Sequence, residues 1–363
     1  MRIGIDCRLW DETGVGRYTR NLIRNLERID QDNSYYLFVK SDKEKEISSD
    51  LPANFKVVST NIHWHTIREQ VFFAGVIEKY SLDLMHFPYF SLPINYKKPF
   101  VLTIHDLIIH HFSTGKASTL PAPIYYLKRL AYLYLMQKAA NRSSKIIAVS
   151  ESTKKEIMDH LMVEASKIKV IYEGVDESIS PKRKQIFNFP YILYVGNAYP
   201  HKNLELMIEA FKKAKKGKEK LVLVGRTNFF YKRLEREFKD ESIIFFGEAT
   251  DEDLGSLYAN AKAFVMPSFM EGFGLPPLEA MKNSCFVIAS DIPSIREVCA
   301  DAALYFNPYD ISDISDKIKF AFSDSDKRDF IKRGLERVKK FSWIEMAKKT
   351  LKVYESSQTP SSG

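Results

Sequence analysis

The chain has 363 residues, of which 45% are hydrophobic and 28% charged, and this length predicts about two domains. That balance excludes a disordered chain, and only 15 glycines and 15 prolines exclude collagen-like or low-complexity architectures. The formal net charge of +8 favours an anionic ligand, nucleic acid or an acidic membrane surface, with simple solubility as the alternative.

Three local features narrow the class of protein. Charged residues already occur within the first six positions, so we expect no secretory signal. Charged residues also interrupt every later apolar run well before about 18 residues, so we expect no membrane span. Cys7, Cys285 and Cys299 lack paired spacing, which argues against a disulfide framework or a zinc site. No stretch interleaves aromatic residues with arginine, so we expect no nucleic-acid partner. Together these features predict a soluble cytoplasmic protein.

Short β-branched or aromatic runs alternate with segments of helical length in the first half. The predicted strands are Ile3–Cys7, Tyr35–Val39, Lys56–Val58, Asp83–His86, Phe100–Ile104, Ile146–Val149 and Ile168–Tyr172. Helices are predicted over Arg17–Leu26, where apolar residues repeat every four positions, and over Lys154–Leu161, with Ser150 as N-cap. Strands that alternate with helices predict βαβ units and a parallel sheet.

A polar, proline-marked stretch at 176–190 interrupts this pattern and is predicted to be a linker. Beyond it, the predicted strands are Tyr191–Val195, Leu221–Val224, Ile243–Phe246, Ala263–Met266 and Phe286–Ala289. The predicted helices are Asn203–Lys213, Asn228–Lys239 and Asp251–Ala259. We therefore expect two open α/β sheets in tandem, in residues 1–175 and 191–341, and a frayed tail at 358–363.

Open parallel sheets bind ligands at the carboxyl ends of their strands, so the loops after strands are the candidate sites. Gly14 and Gly16 open a helix whose N-terminus suits an anion, and a structural turn is the alternative. The spacing is not a dinucleotide fingerprint, because Thr19 stands where the third glycine belongs. His105 follows a predicted strand and can offer a ring nitrogen or its carbonyl to a bound hydroxyl, with a purely structural histidine as the alternative.

Two loops of the second half carry charged residues at the same edge. Lys202 stands at a helix start, where an ammonium would neutralise a diphosphate, and a solvated surface lysine is the alternative. The block from Glu271 to Glu279 places Gly272 and Gly274 ahead of two helix-opening prolines, which leaves main-chain amides to face a ligand. Its two carboxylates can each hold a pair of hydroxyls while the amides take a phosphate. A tight turn with a dipole-complementing glutamate is the alternative.

The block Glu271-Gly-Phe-Gly-Leu-Pro-Pro-Leu-Glu279 resembles the Glu-x7-Glu signature of retaining GT-B glycosyltransferases, and most resembles glycosyltransferase family 4. Supporting matches run along nearly the whole chain: Gly14-Val-Gly-Arg-Tyr18, His105-Asp106, Val149-Ser-Glu-Ser152, Gly174-Val-Asp176, His201-Lys202-Asn203, Leu223-Val-Gly225 and Asp301-Ala-Ala303. Phe341-Ser-Trp343 leads a final helix, 342–357, which in this fold joins the N-terminal domain. The segments at 105–106 and 201–203 are most similar to mannosyltransferase-type members that use GDP-mannose.

The resemblance implies the GT-B fold, in which two Rossmann-like parallel-sheet domains face each other across a cleft. The N-terminal domain would bind the acceptor and the C-terminal domain the nucleotide-sugar donor. It also implies a retaining, metal-independent hexosyltransferase that needs no cofactor besides its donor. The expected reaction moves mannose from GDP-mannose to a saccharide or lipid-linked saccharide, in cell-surface polysaccharide or lipopolysaccharide synthesis.

The family's functional residues transfer onto matching positions of this chain. Lys202 would pair with the diphosphate, Glu279 would hold the ribose and Glu271 the sugar hydroxyls, while His105 would lie near the reactive carbon. The expected catalytic residues are His105, Lys202 and Glu271. The expected donor-binding residues are Gly14, Gly16, Lys202, Gly225, Arg226, Glu271, Gly272, Phe273, Gly274, Leu275 and Glu279. One departure is Asn197, which stands where many relatives carry an arginine that helps to grip the diphosphate.

Two alternative functions stay open at this point. The chain can be a non-catalytic nucleotide-sugar-binding partner subunit, or a GT-B sugar-nucleotide epimerase; a phosphorylase would need a lysine for pyridoxal phosphate, for which there is no signal. Separately, the aromatic and basic segment Ile124–Met136 is either the core face of a helix or a surface that contacts the inner face of a membrane.

Overall fold

Two separate parallel sheets organise the part of the chain that the structure describes. This computed structural model describes residues 1–49, 51–112, 122–180 and 185–357. Within them, one compact unit holds residues 1–110, 122–173 and 342–357, and the other holds 111–112, 174–180 and 185–341. The chain passes from the first unit to the second between Glu173 and Gly174.

The first unit alternates strands with helices along most of its length. Its strands are β1 (Arg2–Asp6), β2 (Ser34–Lys40), β3 (Phe55–Thr60), β4 (Leu84–Phe87), β5 (Phe100–Ile104), β6 (Lys145–Ala148) and β7 (Ile168–Val170). Its helical segments are α1 (Gly14–Ile29), α2 (Glu44–Ser48), α3 (Ala74–Glu78) with a π-helical turn at Glu69–Phe73 before it, α4 (Ile108–His111), which ends in the second unit's segment, α5 (Ala122–Arg142) and α6 (Glu151–Leu161). Ser150 caps α6 as predicted, because its side chain accepts the Thr153 N–H.

The second unit repeats the same alternation. Its strands are β8 (Tyr191–Val195), β9 (Lys220–Val224), β10 (Ile243–Gly247), β11 (Ala263–Met266), β12 (Val287–Ser290) and β13 (Ala303–Phe306). Its helices are α7 (Leu204–Ala214), α8 (Phe229–Glu237), α9 (Asp251–Asn260), α10 (Leu275–Lys282), α11 (Pro293–Cys299), α12 (Ile311–Phe322) and α13 (Arg328–Val338). A last helix, α14 (Trp343–Ser356), belongs to the first unit and packs against α1.

The strand order of each sheet reverses once and so creates one switch point. The first sheet runs β3-β2-β1-β4-β5-β6-β7 and the second runs β10-β9-β8-β11-β12-β13. All neighbouring strands are parallel, and the central ones are buried on both faces, as in a sheet covered by helices. In the first sheet the loops after β1 and β4 therefore diverge from each other, and in the second sheet the loops after β8 and β11 do so. Open sheets bind ligands at such positions.

The predicted linker lies partly outside the described residues, and the predicted tail lies wholly outside them. Of the predicted linker, Pro181 to Lys184 are not described, and neither is the predicted tail at 358–363. The residues before 181 pack onto the second unit: Ile179 is fully buried, and its carbonyl accepts from the Asn283 side chain. This part of the predicted linker therefore belongs to the second unit's folded structure.

The described residues contain no helix with the length and hydropathy that a bilayer span demands. The three cysteines are buried and free, and burial raises the pKa of the Cys285 thiol to about 12. Protonated, buried thiols are poor nucleophiles and metal ligands, so these residues act as small apolar side chains.

A buried hydrogen-bonded chain ties α14 to the first sheet. The Tyr354 hydroxyl lies 2.6 Å from His86 Nδ1, and His86 Nε2 lies 2.8 Å from Thr103 Oγ1. Thr103 in turn lies 3.3 Å from the Tyr18 hydroxyl of α1. His86 is fully buried, and its pKa is lowered to about 3, chiefly by burial. Neutral imidazole therefore links the C-terminal helix to the sheet.

This histidine makes the stability of the first unit depend on pH. An unfolded histidine titrates near 6.5, above the folded value, so the unfolded chain binds more protons between those pH values. We expect the free energy of unfolding to fall by about 2 kcal/mol between pH 7 and pH 5 through this group. Denaturant titrations at several pH values measure it. His86→Gln should reduce the pH dependence of the free energy of unfolding. His63→Gln, at an exposed position, is the control and should leave this dependence unchanged. An unchanged pH dependence in His86→Gln would contradict the assignment.

Candidate active site at the switch point of the second sheet

The switch point between β8 and β11 brings two predicted functional loops together. The loop after β8 ends in a 3-10 turn at Pro200–Lys202, and the loop after β11 runs up to α10. The two loops are joined directly, because the Phe269 N–H donates to the His201 carbonyl at 2.8 Å. Their side chains are therefore held at the same edge of the sheet.

Lys202 and Glu271, one on each loop, form an ion pair. Lys202 Nζ lies 2.6 Å from Glu271 Oε1, and the two side chains are 15% and 9% exposed. A lysine ammonium has three N–H donors, so a ligand phosphate can share it with the carboxylate. The pair thus places one cation and one carboxylate, both reachable from solvent, where a phosphorylated sugar can contact both.

Asn203 fixes the position of Lys202. It adopts a left-handed conformation (φ 57°), which asparagine tolerates better than most residues. Its side-chain amide donates to the Pro267 carbonyl at 3.0 Å and to the Pro308 carbonyl at 2.8 Å. The predicted helix start at Asn203 is thus displaced by one residue to Leu204, because the asparagine anchors neighbouring loops instead of capping the helix with its side chain.

Next to this lysine, His201 is held neutral. Burial, with a smaller contribution from Lys202, lowers its pKa to about 4. At neutral pH the lysine is therefore the cation of this turn, and the histidine contributes a neutral ring.

The glycine-rich loop reaches α10 through a conformation that only glycine adopts easily. Gly274 has φ 110°, and a Cβ there would lie 2.7 Å from Ile295 Cδ1. Helix α10 begins immediately afterwards at Leu275, with proline in its first turn. The positive end of the α10 dipole is therefore directed at the edge that carries Lys202 and Glu271.

Glu279 is buried on α10. It is in the second turn of this helix and is 3% exposed. One carboxylate oxygen accepts from the Tyr258 hydroxyl of α9 at 3.0 Å. Tyr258 was not predicted, and no signal in the sequence marks it, because it looks like any other buried residue of a helix.

The loops after β8 and β9 approach each other closely. A Cβ on Gly225 would lie 2.0 Å from the Gly196 carbonyl oxygen, so this position accepts only glycine. Arg226 is exposed and lies 3.6 Å from Glu248. Asn197, the departure from the family pattern, supports its own loop: its carbonyl accepts from the Tyr194 hydroxyl at 2.6 Å.

The predicted residues of the first unit lie at its own carboxyl edge. The Cβ position of Gly16 is 2.5 Å from the Trp10 carbonyl, so this glycine is required for packing, whereas Gly14 has open space around it. His105 Nδ1 lies 3.0 Å from Glu173 Oε1, and Nε2 lies 3.0 Å from the Pro88 carbonyl. Glu173 was not predicted, although its place just after β7 is the kind of position that the carboxyl-edge rule singles out.

Comparison with known proteins gives the same picture for both halves. The family described as "Glycosyltransferase Family 4" matches residues 13–179, and "Glycosyl transferases group 1" matches residues 176–337. The "O-antigen chain mannosyltransferase RfbU" of Salmonella typhimurium is 32% identical over 213 residues, which are 58% of this chain and 57% of that protein. The "O-antigen chain mannosyltransferase B" of Escherichia coli is 27% identical over 94% of this chain and 96% of that protein.

Among solved structures, the sucrose-phosphate synthase of Thermosynechococcus elongatus has a TM-score of 0.80 at 20% identity, over 98% of each chain. At that identity the likeness establishes the fold alone. The two domains thus have the GT-B architecture expected from the sequence, each with its own parallel sheet.

Proposed function

Because the chain belongs to family 4 of the GT-B glycosyltransferases, we propose that it transfers mannose from GDP-mannose to a hydroxyl of a saccharide or lipid-linked saccharide. The two mannosyltransferase relatives support the choice of sugar, and their O-antigen role supports a place in lipopolysaccharide or cell-surface polysaccharide synthesis. The observation that carries the proposal is the ion pair of Lys202 with Glu271, 2.6 Å apart, at the switch point of the second sheet.

The charge distribution of this edge suits departure of a nucleoside diphosphate. As the bond from the anomeric carbon to the phosphate oxygen breaks, negative charge grows on the phosphate and positive charge on the carbon and ring oxygen. In this proposal the departing phosphate binds beside Lys202 and the α10 N-terminus, which would stabilise the transition state more than the ground state. These groups take the role that a divalent metal would otherwise have.

In the proposed reaction the acceptor oxygen attacks the face that the diphosphate leaves. One carbon–oxygen bond forms, one breaks, and the acceptor's proton passes to an oxygen of the departing phosphate, so the anomeric configuration is retained. Glu271 would bind the sugar's hydroxyls and Glu279 the ribose, while the amides from Gly272 to Leu275 contact the sugar and phosphate. Glu271 is not assigned as a nucleophile.

A donor panel tests the proposal. Purified protein is melted with GDP, UDP, ADP and their sugars, because a ligand that binds the folded state raises the melting temperature. We expect the largest shift in melting temperature with GDP-mannose, and EDTA should not change this shift. We also expect transfer of mannose to an O-antigen-type saccharide. NMR of the product should show the same anomeric configuration as the donor. Binding without transfer would favour the non-catalytic subunit, and interconversion of sugars without acceptor would favour an epimerase. An inverted product would contradict the retaining mechanism.

We also propose that α5 rests on the cytoplasmic face of the inner membrane. Its solvent-facing side is apolar: Leu127 and Leu130 are 70% and 62% exposed, and Ile124 and Tyr134 are exposed beside them. The helix carries four basic residues and no carboxylate from Ala122 to Arg142. An exposed apolar stripe with only positive charge matches an anionic lipid surface. The alternative, the core face of a helix, holds for the opposite side of α5, where Met136 is fully buried and Tyr132 packs against the core of the first unit.

Sedimentation with vesicles tests this surface. We expect the wild-type protein to pellet with vesicles that contain phosphatidylglycerol and to pellet less with vesicles of phosphatidylcholine. Added salt should weaken its binding to the phosphatidylglycerol vesicles. Leu127→Glu with Leu130→Glu should abolish pelleting. Met162→Glu, at a residue outside α5 that is 81% exposed, should not. Equal pelleting of both variants would rule out α5 as the membrane surface.

A further inference from the structure

Three aromatic rings lie together at the carboxyl edge of the first sheet. Trp64 and His65 follow β3, and Tyr89 follows β4, which borders the switch point between β1 and β4. The His65 ring is stacked on Tyr89 with centroids 5.8 Å apart, and the Trp64 ring meets His65 nearly at right angles at 5.2 Å. Trp64 and Tyr89 are half-buried and His65 is exposed, so all three rings keep surface that a ligand can contact. We call these three residues the aromatic platform.

The turn that carries Trp64 and His65 has two uncommon features. His65 has φ 56°, in the left-handed region that few side chains adopt. Its N–H donates to Glu69 Oε2 at 3.0 Å, and Glu69 begins the π-helical turn Glu69–Phe73. Left-handed residues other than glycine and single π-helical turns both occur often at functional sites. These features, at an edge where open sheets bind ligands, mark the turn as a candidate binding site.

A buried ion network fastens this turn to the sheet. Arg8 and Glu69 are fully buried, and Arg8 Nη2 lies 2.6 Å from Glu69 Oε1 and 2.7 Å from Asp6 Oδ2 at the end of β1. The Ser91 hydroxyl donates to Glu69 Oε1 at 2.7 Å, which adds the loop after β4. Breaking such a network leaves a buried charge without compensation, so the loops after β1, β3 and β4 are held in one arrangement. The platform is thus preorganised, which lowers the entropic cost of binding a ligand.

The chemistry of the platform suits a sugar ring. A pyranose has an apolar C–H face, which an aromatic ring can cover, and a rim of hydroxyls. The Trp64 indole N–H and the Tyr89 hydroxyl belong to the same flat side chains and are hydrogen-bonding groups. Because neither side chain carries a charge at neutral pH, the pair suits a neutral sugar better than a phosphate.

We propose that the aromatic platform binds one sugar ring of the acceptor saccharide, with Trp64 stacked on the apolar face of that ring. The role of this sugar as acceptor rests on the proposed function, whereas binding of a saccharide at the platform does not. The position also suits a lipid-linked acceptor. Tyr132 of α5 lies 6.2 Å from the His65 ring, and the opposite side of α5 is the proposed membrane surface.

Tryptophan NMR tests saccharide binding on the whole chain. Protein labelled with 15N-tryptophan contains three indole N–H groups, and Trp64→Phe and Trp343→Phe identify two of their signals. Oligosaccharides of mannose, galactose and N-acetylglucosamine are titrated with and without GDP. We expect at least one of them to shift the Trp64 signal until it saturates, while the signal of Trp343, buried in α14, stays unchanged. If none shifts the Trp64 signal, the proposal is wrong.

Kinetics test whether the bound sugar is the acceptor. Trp64→Leu keeps an apolar side chain but removes the flat ring, so we expect the acceptor KM to rise about tenfold and the donor KM to change less than about twofold. Trp64→Phe keeps a ring and should raise the acceptor KM less. Tyr80→Leu, at a half-buried tyrosine before β4 and so at the opposite edge of the sheet, is the matched control and should change neither KM. An unchanged acceptor KM in Trp64→Leu, or an equal rise in the donor KM, would contradict the acceptor role.

Two further outcomes separate this proposal from the earlier ones. If the wild type transfers no sugar but a saccharide shifts the Trp64 signal, the proposed function fails and the saccharide site stands. If no saccharide shifts the signal and Trp64→Leu weakens pelleting with phosphatidylglycerol vesicles, the platform is part of a membrane surface and the proposal fails.

Discussion

Replacement of Lys202 by alanine is expected to abolish glycosyl transfer while the protein stays folded. Lys202 is the cation of the turn after β8, paired with Glu271 at 2.6 Å and 15% exposed. Removing one preorganised electrostatic group from a reacting centre lowers kcat by about 10² to 10³. We expect a loss of at least this size, because the developing phosphate charge would face an uncompensated Glu271 carboxylate.

The stability cost should be small by comparison. The remaining Glu271 side chain still contacts solvent, so it regains water when its partner is removed, and we expect less than about 2 kcal/mol. Lys213→Ala, at an exposed lysine of α7, is the matched control and should leave kcat and melting temperature unchanged. Near-normal turnover in Lys202→Ala would remove this residue from the mechanism.

A double variant separates the two functions of the pair. Lys202→Ala leaves a carboxylate that repels a diphosphate, and adding Glu271→Gln removes that repulsion. We therefore expect the double variant to bind GDP more tightly than Lys202→Ala, as measured by calorimetry, and still to transfer no sugar. Recovery of transfer in the double variant would show that the lysine only neutralises the glutamate.

The edge of the second sheet could be predicted from the sequence because its residues follow recognisable strands. Strands β8 and β11 agree residue for residue with the predicted Tyr191–Val195 and Ala263–Met266, since each is an apolar run between polar or glycine-rich segments. Once both are placed in a parallel sheet, the loops that follow them point to one edge. The expectation that Lys202 and Glu271 both serve one ligand requires them to lie close together, and they do.

Pairings between distant segments could not be predicted. Glu173 meets His105 across 68 residues, and Tyr258 meets Glu279 across two helices. Neither pairing leaves a local pattern, because periodicity reports which face is buried and not which polar group that face contacts. The sequence also did not predict β13, which lies at the edge of the second sheet beside β12.

The sequence also could not predict which side of α5 is exposed to solvent. Ile124–Met136 has the composition of a core helix, and only the packing of its neighbours decides which side is covered. The structure covers the side that contains Tyr132 and Met136 and leaves Leu127 and Leu130 exposed. Composition alone cannot tell these two outcomes apart, since both faces of this helix are apolar.

Replacement of Gly225 by alanine is expected to be the most destabilising glycine substitution near the candidate site. The new Cβ would lie 2.0 Å from the Gly196 carbonyl oxygen and 2.7 Å from the Tyr231 hydroxyl. The carbonyl cannot move away easily, because the Gly196 N–H donates to Val224 and the Gly225 N–H to Gly247, which fasten the ends of β8, β9 and β10. We expect a loss of about 3 kcal/mol or more in the free energy of unfolding, measured by denaturant titration.

Two further variants decide whether the backbone contact is the cause. Gly75→Ala, in helix α3 with nothing within 4 Å of its Cβ position, should gain about 0.5 to 1 kcal/mol, because alanine is the better helix former. Adding Tyr231→Phe to Gly225→Ala removes the hydroxyl but leaves both the carbonyl and the ring Cε2, which would lie 2.9 Å from the new Cβ, so stability should not recover. If it does recover, the tyrosine hydroxyl is the obstacle. If it does not, the loop after β8 must shift, and because Lys202 is on that loop, GDP affinity should fall with stability.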